Sequence, residues 1–333
     1  NTFFKGKKLL TDILMNKIIL KKDYSIRFKD KNSLAHQINY FLLLNSFKGS
    51  EYFRKLISRI IIPASPKKTI ICPTIYDFSL IAYLRNNNII EHQVYRFGTY
   101  EAGVINVLKN FLVPGDIFID IGSNIGMISL AASKYVGNKG LVYSFEPEPT
   151  IYNHFLRNIK LNSIRNIQTF NYALGSKREN LKIYYHRDFG NATFLKYDIY
   201  KSTEKETLIE PLDDVITTKN IKEIKMIKID VEGWELEVLL GAKNLLKSKN
   251  APILCLELSS TIILRDGKPS DIIDFILSSN NYKMYKLIKG KYFISDLIEI
   301  NDCKDLPAEN DNYFFFLPSH IRNFRRMLKN RKR

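Results

Sequence analysis

The chain of 333 residues contains only three cysteines, one tryptophan and 34 Asp/Glu to set against 51 Lys/Arg. Cys72, Cys255 and Cys303 have no partner spacing, and no C-x-x-C or Cys/His cluster occurs. A zinc site and a nucleophilic-cysteine mechanism are therefore not supported, and sparse, scattered cysteine suits a reducing, cytoplasmic setting. No apolar run approaches the ~18 uncharged residues that span a bilayer. Asp12 and Lys17 interrupt the N-terminal segment as a signal peptide. Internal repeats and Gly- or Pro-rich linkers are also missing. Apolar content of 45% is enough for a sizeable core, and the length exceeds one nucleotide-binding domain.

The segment Val113 to Pro147 carries the strongest signal. It reads as a buried strand ending at Asp120, a tight turn from Gly122 to Gly126, a helix, and a second strand ending at Glu146. One strand–helix–strand unit with an acid at each strand tip places a small ligand at the C-terminal ends of a parallel sheet. The second acid can accept from both hydroxyls of a ribose.

Which nucleoside cofactor fits is decided by what the turn lacks. A dinucleotide fingerprint requires G-x-G-x-x-G. Counting from Gly122, this chain has Asn124 and Met127 where the second and third glycines fall. Asp120 at the mouth of the turn repels a diphosphate and attracts an ammonium. S-adenosylmethionine has an ammonium, a sulfonium and no phosphate, so it is the expected cofactor. Gly122, Ser123, Asn124 and Gly126 form its loop, and Glu146 and Pro147 its ribose edge. Asn171 and Ala173, after a short strand at Ile167–Phe170, are candidates for the adenine edge. Leu181 to Tyr185 reads as an added strand or hairpin arm, and Gly190 to Thr193 as a loop over the pocket.

A second block, Ile224 to Gly241, repeats the strand–turn–helix pattern, with Asp230 at the strand tip and Gly233 relaxing the turn. Glu235 reads as a helix-start acid favoured by the macrodipole, and Trp234 as a packing residue. Asp230 is expected to act on substrate or cofactor, although an N-cap would use the same residue type.

Taken together, Tyr100–Glu101, Pro114–Gly115–Asp116, the turn from Asp120 to Gly126, Phe145–Glu146–Pro147, Leu212–Asp213–Asp214 and Ile229 to Glu235 resemble the FkbM-type methyltransferases, over roughly Glu101 to Ser259. Val238, Leu239, Gly241 and the pair Leu256–Glu257 continue the pattern. The resemblance implies a class I O-methyltransferase that uses S-adenosylmethionine, often on a sugar, glycan or polyketide hydroxyl. Such a reaction needs an oxygen in line with the departing sulfur and a group to orient or deprotonate the hydroxyl. Asp230 and Glu232 are the first candidates for that group, and His186, ending a strand, is the next. Glu101 is expected to close the cofactor pocket or touch substrate. A divalent cation on Asp230, Glu257 and a third carboxylate is conceivable, but acids at strand tips need no metal, and none is assigned.

The positive charge sits at the ends. Residues 1–70 hold 15 Lys/Arg and 4 Asp/Glu, residues 319–333 hold 7 basic groups and no acid, and the remainder is close to neutral. An enzyme acting on nucleic acid would surround its catalytic cleft with such groups. Nor does an Asn-Pro-Pro-aromatic segment follow the Ile224–Ile229 strand, as in enzymes that methylate nucleic-acid amino groups. No specific nucleic-acid partner is expected.

The predicted fold is a doubly wound, mostly parallel α/β sheet. A basic, mainly helical extension occupies residues 1–95, the catalytic domain 96–318 and a basic tail 319–333. Helices are expected at Ser33–Leu44 and Glu51–Ile62. Ile321, Phe324 and Leu328 recur at helical spacing among arginines. A basic amphipathic helix of that kind can make weak contact with an anionic membrane surface. The acceptor expected is a small molecule or glycan. The rival readings are a nucleic-acid methyltransferase tethered by its basic ends and a non-catalytic cofactor-binding homologue.

Overall fold

A computed structural model describes residues 31–44, 52–56, 69–84, 89–186, 191–194, 202–258, 268–301, 310–321 and 328–329. The first elements are helix α1 (Lys31–Leu44), an antiparallel hairpin of β1 (Thr69–Pro73) and β2 (Ser79–Tyr83), and helices α2 (Ile89–Phe97) and α3 (Ala102–Phe111). The sequence reading expects a mainly helical extension before residue 96 and names no strand there, so the hairpin is an addition to it. Thr–Ile–Ile–Cys and Leu–Ile–Ala–Tyr are short apolar runs on either side of a turn, a strand signal as good as a helical one. Asp77, at φ 61°, takes the left-handed position in that turn.

The central sheet then begins with β3 (Ile117–Ile121), α4 (Met127–Val136), β4 (Leu141–Phe145), α5 (Pro149–Leu161) and β5 (Ile167–Phe170). The strands β6 (Ala173–Leu174), β7 (Glu179–His186), β8 (Asn191–Thr193) and β9 (Ser202–Glu210) form a separate four-stranded sheet in the order β6-β9-β7-β8. The chain returns through α6 (Leu212–Lys219), β10 (Ile224–Ile229), α7 (Glu235–Leu240), α8 (Lys243–Lys247), β11 (Ile253–Leu258), α9 (Pro269–Ser279) and β12 (Lys283–Leu287). It ends with β13 (Leu297–Ile300), β14 (Asp311–Phe316), α10 (Pro318–Ile321) and β15 (Leu328–Lys329).

The nine-stranded sheet has the order β15-β13-β12-β14-β11-β10-β3-β4-β5. β5, β4, β3, β10 and β11 run parallel, and β14 is antiparallel between β11 and β12. Strand order therefore reverses between β3 and β10, and a parallel sheet opens a crevice at such a switch point. Two buried clusters, one on each face, sandwich the sheet; Phe118 and Phe314 belong to one, Ile119 and Phe315 to the other.

Local sequence explains the junctions. Gly126, at φ 91°, precedes α4, which is buried along nearly its whole length. Pro149 opens α5, where a proline loses no helical bond. Glu148 caps the same helix by accepting from the Ile151 N–H at 2.7 Å. Leu328, expected on a helical face with Ile321 and Phe324, instead pairs with Leu297 in parallel strands; Phe324 lies outside the described residues. The boundary expected after residue 95 falls inside α2.

Candidate active site

At the switch point the loop after β3 is tied to its neighbours by backbone bonds. The N–H groups of Gly122 and Ser123 both donate to Phe145 O, at 2.9 and 3.0 Å, and Asp230 N–H donates to Ile121 O at 3.0 Å. Gly122 has φ 80°, and a Cβ placed on it would meet the carbonyl oxygen of Asp230. A glycine here thus serves both the turn and the close approach of β10's tip.

Around this knot lies a cavity of about 300 Å³, with Asp120, Glu146 and Asp230 on its wall. Asp120 is buried at the end of β3, where Ser129 Oγ donates to its Oδ2 at 2.5 Å. Its Oδ1 has no hydrogen-bond partner. Burial pushes this carboxyl up to about 6, although the ammonium of Lys228 pulls it down. Glu146 is held by two backbone donors, Asn124 N–H to Oε2 and Glu148 N–H to Oε1, each at 3.0 Å. Burial pushes it up to about 8 against those bonds, with Glu148 and Asp120 adding negative charge.

Opposite these two acids is a buried charge cluster that sequence reasoning did not assemble. Lys228, 3% exposed within β10, lies 2.7 Å from Asp230 and 4.0 Å from Glu101. Lys291 is ion-paired to Glu257 and lies 3.3 Å from Glu101. Burial alone would raise Asp230, but Lys228, a hydrogen bond from Glu257 and Lys291 outweigh it and hold the carboxyl below its usual range. Burial and the Asp230 charge push Glu257 well up, against the pull of Lys291. Glu101 occupies a left-handed conformation (φ 47°, ψ 49°) just before α3, with no cap hydrogen bond. A non-glycine residue held there costs roughly 1–2 kcal/mol, and the result is a carboxylate aimed into the cluster. One carboxylate oxygen from each of Glu101, Asp230 and Glu257 lies within 4.8 Å of the other two. A cation bound there would compete with both lysine ammonium groups.

The other expected site residues divide clearly. Ser123, Asn124, Pro147, Ala173 and Glu232 line the cavity. Asn171 does not; its amide donates to the carbonyls of Glu146 and Pro147 at 2.9 and 3.1 Å, which fixes the ribose edge from behind. His186 ends β7, paired with Asn191 and Ser202, and its side chain lies outside the described residues. Asn191 to Thr193, expected as a loop, is strand β8, and Ala192 lines the cavity. Gly190 lies outside the described residues. Glu235 is the buried helix-start acid expected, accepting from the N–H groups of Val231 and Gly233 at 3.3 and 3.2 Å. Trp234 packs on Phe194, with ring centroids 4.4 Å apart, and both also face the cavity.

Lys228 had a legible signal, a lysine alternating with apolar residues inside a strand that reads as wholly buried. Lys291, Tyr292 and Phe194 lie in segments with no comparable pattern, and only the fold brings them to the cavity.

The residues present fit S-adenosylmethionine. Asp120 offers an orphaned buried acceptor beside a backbone that tolerates no side chain at Gly122, and Glu146 offers a fixed carboxylate on the adjacent strand. Strand order and acid placement define a class I, Rossmann-like methyltransferase fold. Residues 120–284, just under half of the chain, match the family described as "Methyltransferase FkbM domain", so this stretch is an FkbM-type, S-adenosylmethionine-dependent methyltransferase domain. It is 28% identical over 148 residues to "Methyltransferase 1" of Beauveria bassiana, covering 38% of this chain and 59% of that protein. It is 29% identical over 156 residues to "Hexuronic acid methyltransferase AglP" of Haloferax volcanii, covering 46% and 61%. The chain thus spans about three-fifths of the length of these relatives. Among solved structures, M. jannaschii TYW2 in complex with AdoMet aligns with 76% of this chain and 87% of its own, at 14% identity and a TM-score of 0.36. No helix among the described residues is long and apolar enough to cross a membrane.

Proposed function

We propose that this protein transfers the methyl group of S-adenosylmethionine to a hydroxyl of a sugar, glycan or related metabolite. The observation that carries this reading is the convergence of Asp120, Glu146 and Asp230 from three adjacent parallel strands on one cavity. When bound, the cofactor supplies a methyl group on a positively charged sulfur that leaves as a neutral thioether.

The chain's own residues supply position and charge. Asp120 faces the cofactor's ammonium and Glu146 its ribose hydroxyls. Asp230, kept ionised by Lys228, accepts a hydrogen bond from the acceptor's hydroxyl and so orients its oxygen. A carboxylate with depressed proton affinity is a weak base toward a neutral alcohol. It is sufficient once the new C–O bond forms, because an alkylated oxygen still carrying its proton is far more acidic than any carboxylic acid. Orientation of this kind can contribute several kcal/mol, and proton removal ~10²–10⁴-fold. Glu232 lines the same cavity from the loop after β10 and is the second candidate for the group that takes the proton.

The relative from Haloferax volcanii, whose name specifies hexuronic acid, supports a carbohydrate acceptor. Isothermal titration with S-adenosylmethionine and S-adenosylhomocysteine tests the cofactor. Incubation with labelled donor and fractionated cell extract tests the acceptor. Label in the carbohydrate pool is the expected result; absence of cofactor binding would overturn the enzyme reading, and label in RNA would replace the acceptor class.

A further inference from the structure

Beside the main cavity lies a second chamber of about 200 Å³, and the two share Tyr100, Glu101 and Tyr292 on their walls. Residues preceding the catalytic sheet contribute most of its polar lining: Arg54, Lys55, Gln93 and Thr99. Arg54 is 8% exposed, and its guanidinium carbon sits 5.3 Å from the ring centre of Phe97 and 5.1 Å from that of Phe293. Its Nε donates to Asn39 Oδ1 at 2.5 Å, so two aromatic faces and an amide fix the fork's direction. Lys55 lies next to it, exposed at the rim.

The balance of charge on this wall is cationic. Glu101 is the single acid among its described residues, and Lys291 at 3.3 Å and Lys228 at 4.0 Å face that carboxylate. The wall the two chambers share is aromatic, with the rings of Tyr100 and Tyr292 edge to face at 5.9 Å. An arginine held in a fixed orientation suits planar oxyanions, and aromatic faces suit the C–H surface of a sugar ring.

We propose that this second chamber is an acceptor subsite for an anionic oxyacid group, a carboxylate or a phosphate, carried by the same molecule whose hydroxyl meets Asp230. The inference rests on the methyl-transfer reading for its placement beside the donor, but the subsite itself is a binding claim and can be tested without turnover. It assigns the basic N-terminal region a role in choosing acceptors by charge, and the catalytic sheet the chemistry.

The test titrates three probes into the full chain saturated with S-adenosylhomocysteine: methyl glucoside, methyl glucuronoside and glucose 6-phosphate. The expected result is that at least one anionic probe binds about tenfold or more tightly than the neutral glucoside. That preference should shrink with added salt. Whichever anion is preferred identifies the group. Arg54→Gln and Lys55→Gln should each erase most of the preference. Lys55 is exposed, so its variant keeps the fold, and unchanged affinity for S-adenosylhomocysteine verifies that. Equal binding of neutral and anionic probes, or a preference untouched in the Lys55 variant, would overturn the proposal. Loss of S-adenosylhomocysteine binding in the unmodified protein, with the anion preference intact, would overturn the methyl-transfer reading and leave the subsite standing.

Discussion

A side-chain carbon on Gly122 would lie 1.8 Å from the carbonyl oxygen of Asp230, so the donor loop and the acceptor-facing strand touch backbone to backbone. Neither can move without the other. Gly122→Ala must force them apart, whereas Gly115→Ala, also at positive φ but with nothing within 4 Å, meets only backbone strain. The Gly115 variant should lose roughly 1–2 kcal/mol. The Gly122 variant should lose more and should also fail to bind cofactor. Denaturant unfolding and cofactor titration of the two side by side measure the difference.

Lys228 sets the charge on Asp230. In Lys228→Met the ammonium at 2.7 Å is gone, burial dominates, and the Asp230 carboxyl rises toward and above the ordinary carboxylate range. Turnover requires the ionised form, so the acid limb of the kcat profile should move to higher pH, with the larger deficit at low pH. Removing one partner from a buried charge cluster also costs about 3–5 kcal/mol of stability. A uniform loss at every pH, with the limb unmoved, would show that Lys228 acts on the fold alone.

Glu146 should give ribose binding a pH dependence of its own. Burial raises its carboxyl to about 8, so at lower pH the neutral form predominates. Hydroxyl donors favour the ionised form. Adenosine carries the ribose without the amino-acid arm, and its affinity should rise as pH approaches about 8 and level off above. Glu146→Gln should bind adenosine weakly and without that slope. The same shift affects folding: this group's contribution to stability is present below its unfolded pKa and is lost as pH rises through about 8.

Asn158 links three parts of the molecule. Its Oδ1 accepts from Ile81 N–H and its Nδ2 donates to Ile125 O, both at 2.9 Å. Asn158→Leu leaves two buried backbone groups unpaired, at roughly 1–3 kcal/mol each. It should also weaken cofactor binding, because Ile125 belongs to the donor loop. Asn162→Ala breaks bonds to both backbone groups of Ser79 at the hairpin's edge and should destabilise without touching cofactor affinity. Thermal melts with and without S-adenosylhomocysteine separate the two effects.

The parallel sheet and the donor loop could be read from the chain because their residues are close in sequence. Asp120, Gly122, Gly126 and Glu146 fall within a single strand–helix–strand unit, and the pattern that forms the strands also aims the acids. Asn171 shows the limit. A side-chain amide next to a small residue suggested adenine recognition, yet two carbonyls just past the end of β4 claim it first. The charge cluster was legible only in halves: Glu101, Asp230 and Glu257 stand out as acids near strand and helix ends. Lys291 reaches them from a turn after β12, which only the tertiary fold can specify. The hairpin was missed because four-residue apolar runs do not distinguish strand from helix.

That hairpin has a consequence for how the chain can be altered. Asn158 and His154 on α5 and Asn162 just past its end bond to the backbone of β2, and the same helix meets the donor loop through Asn158 and through Phe155 against Gly126. The residues before 96 are therefore not a module that can be exchanged between relatives to graft a new acceptor preference. A transplanted N-terminal region would arrive without the asparagines that receive it, and the host's α5 would be left with amides facing nothing. Exchanges that carry the hairpin and α5 together keep that joint whole.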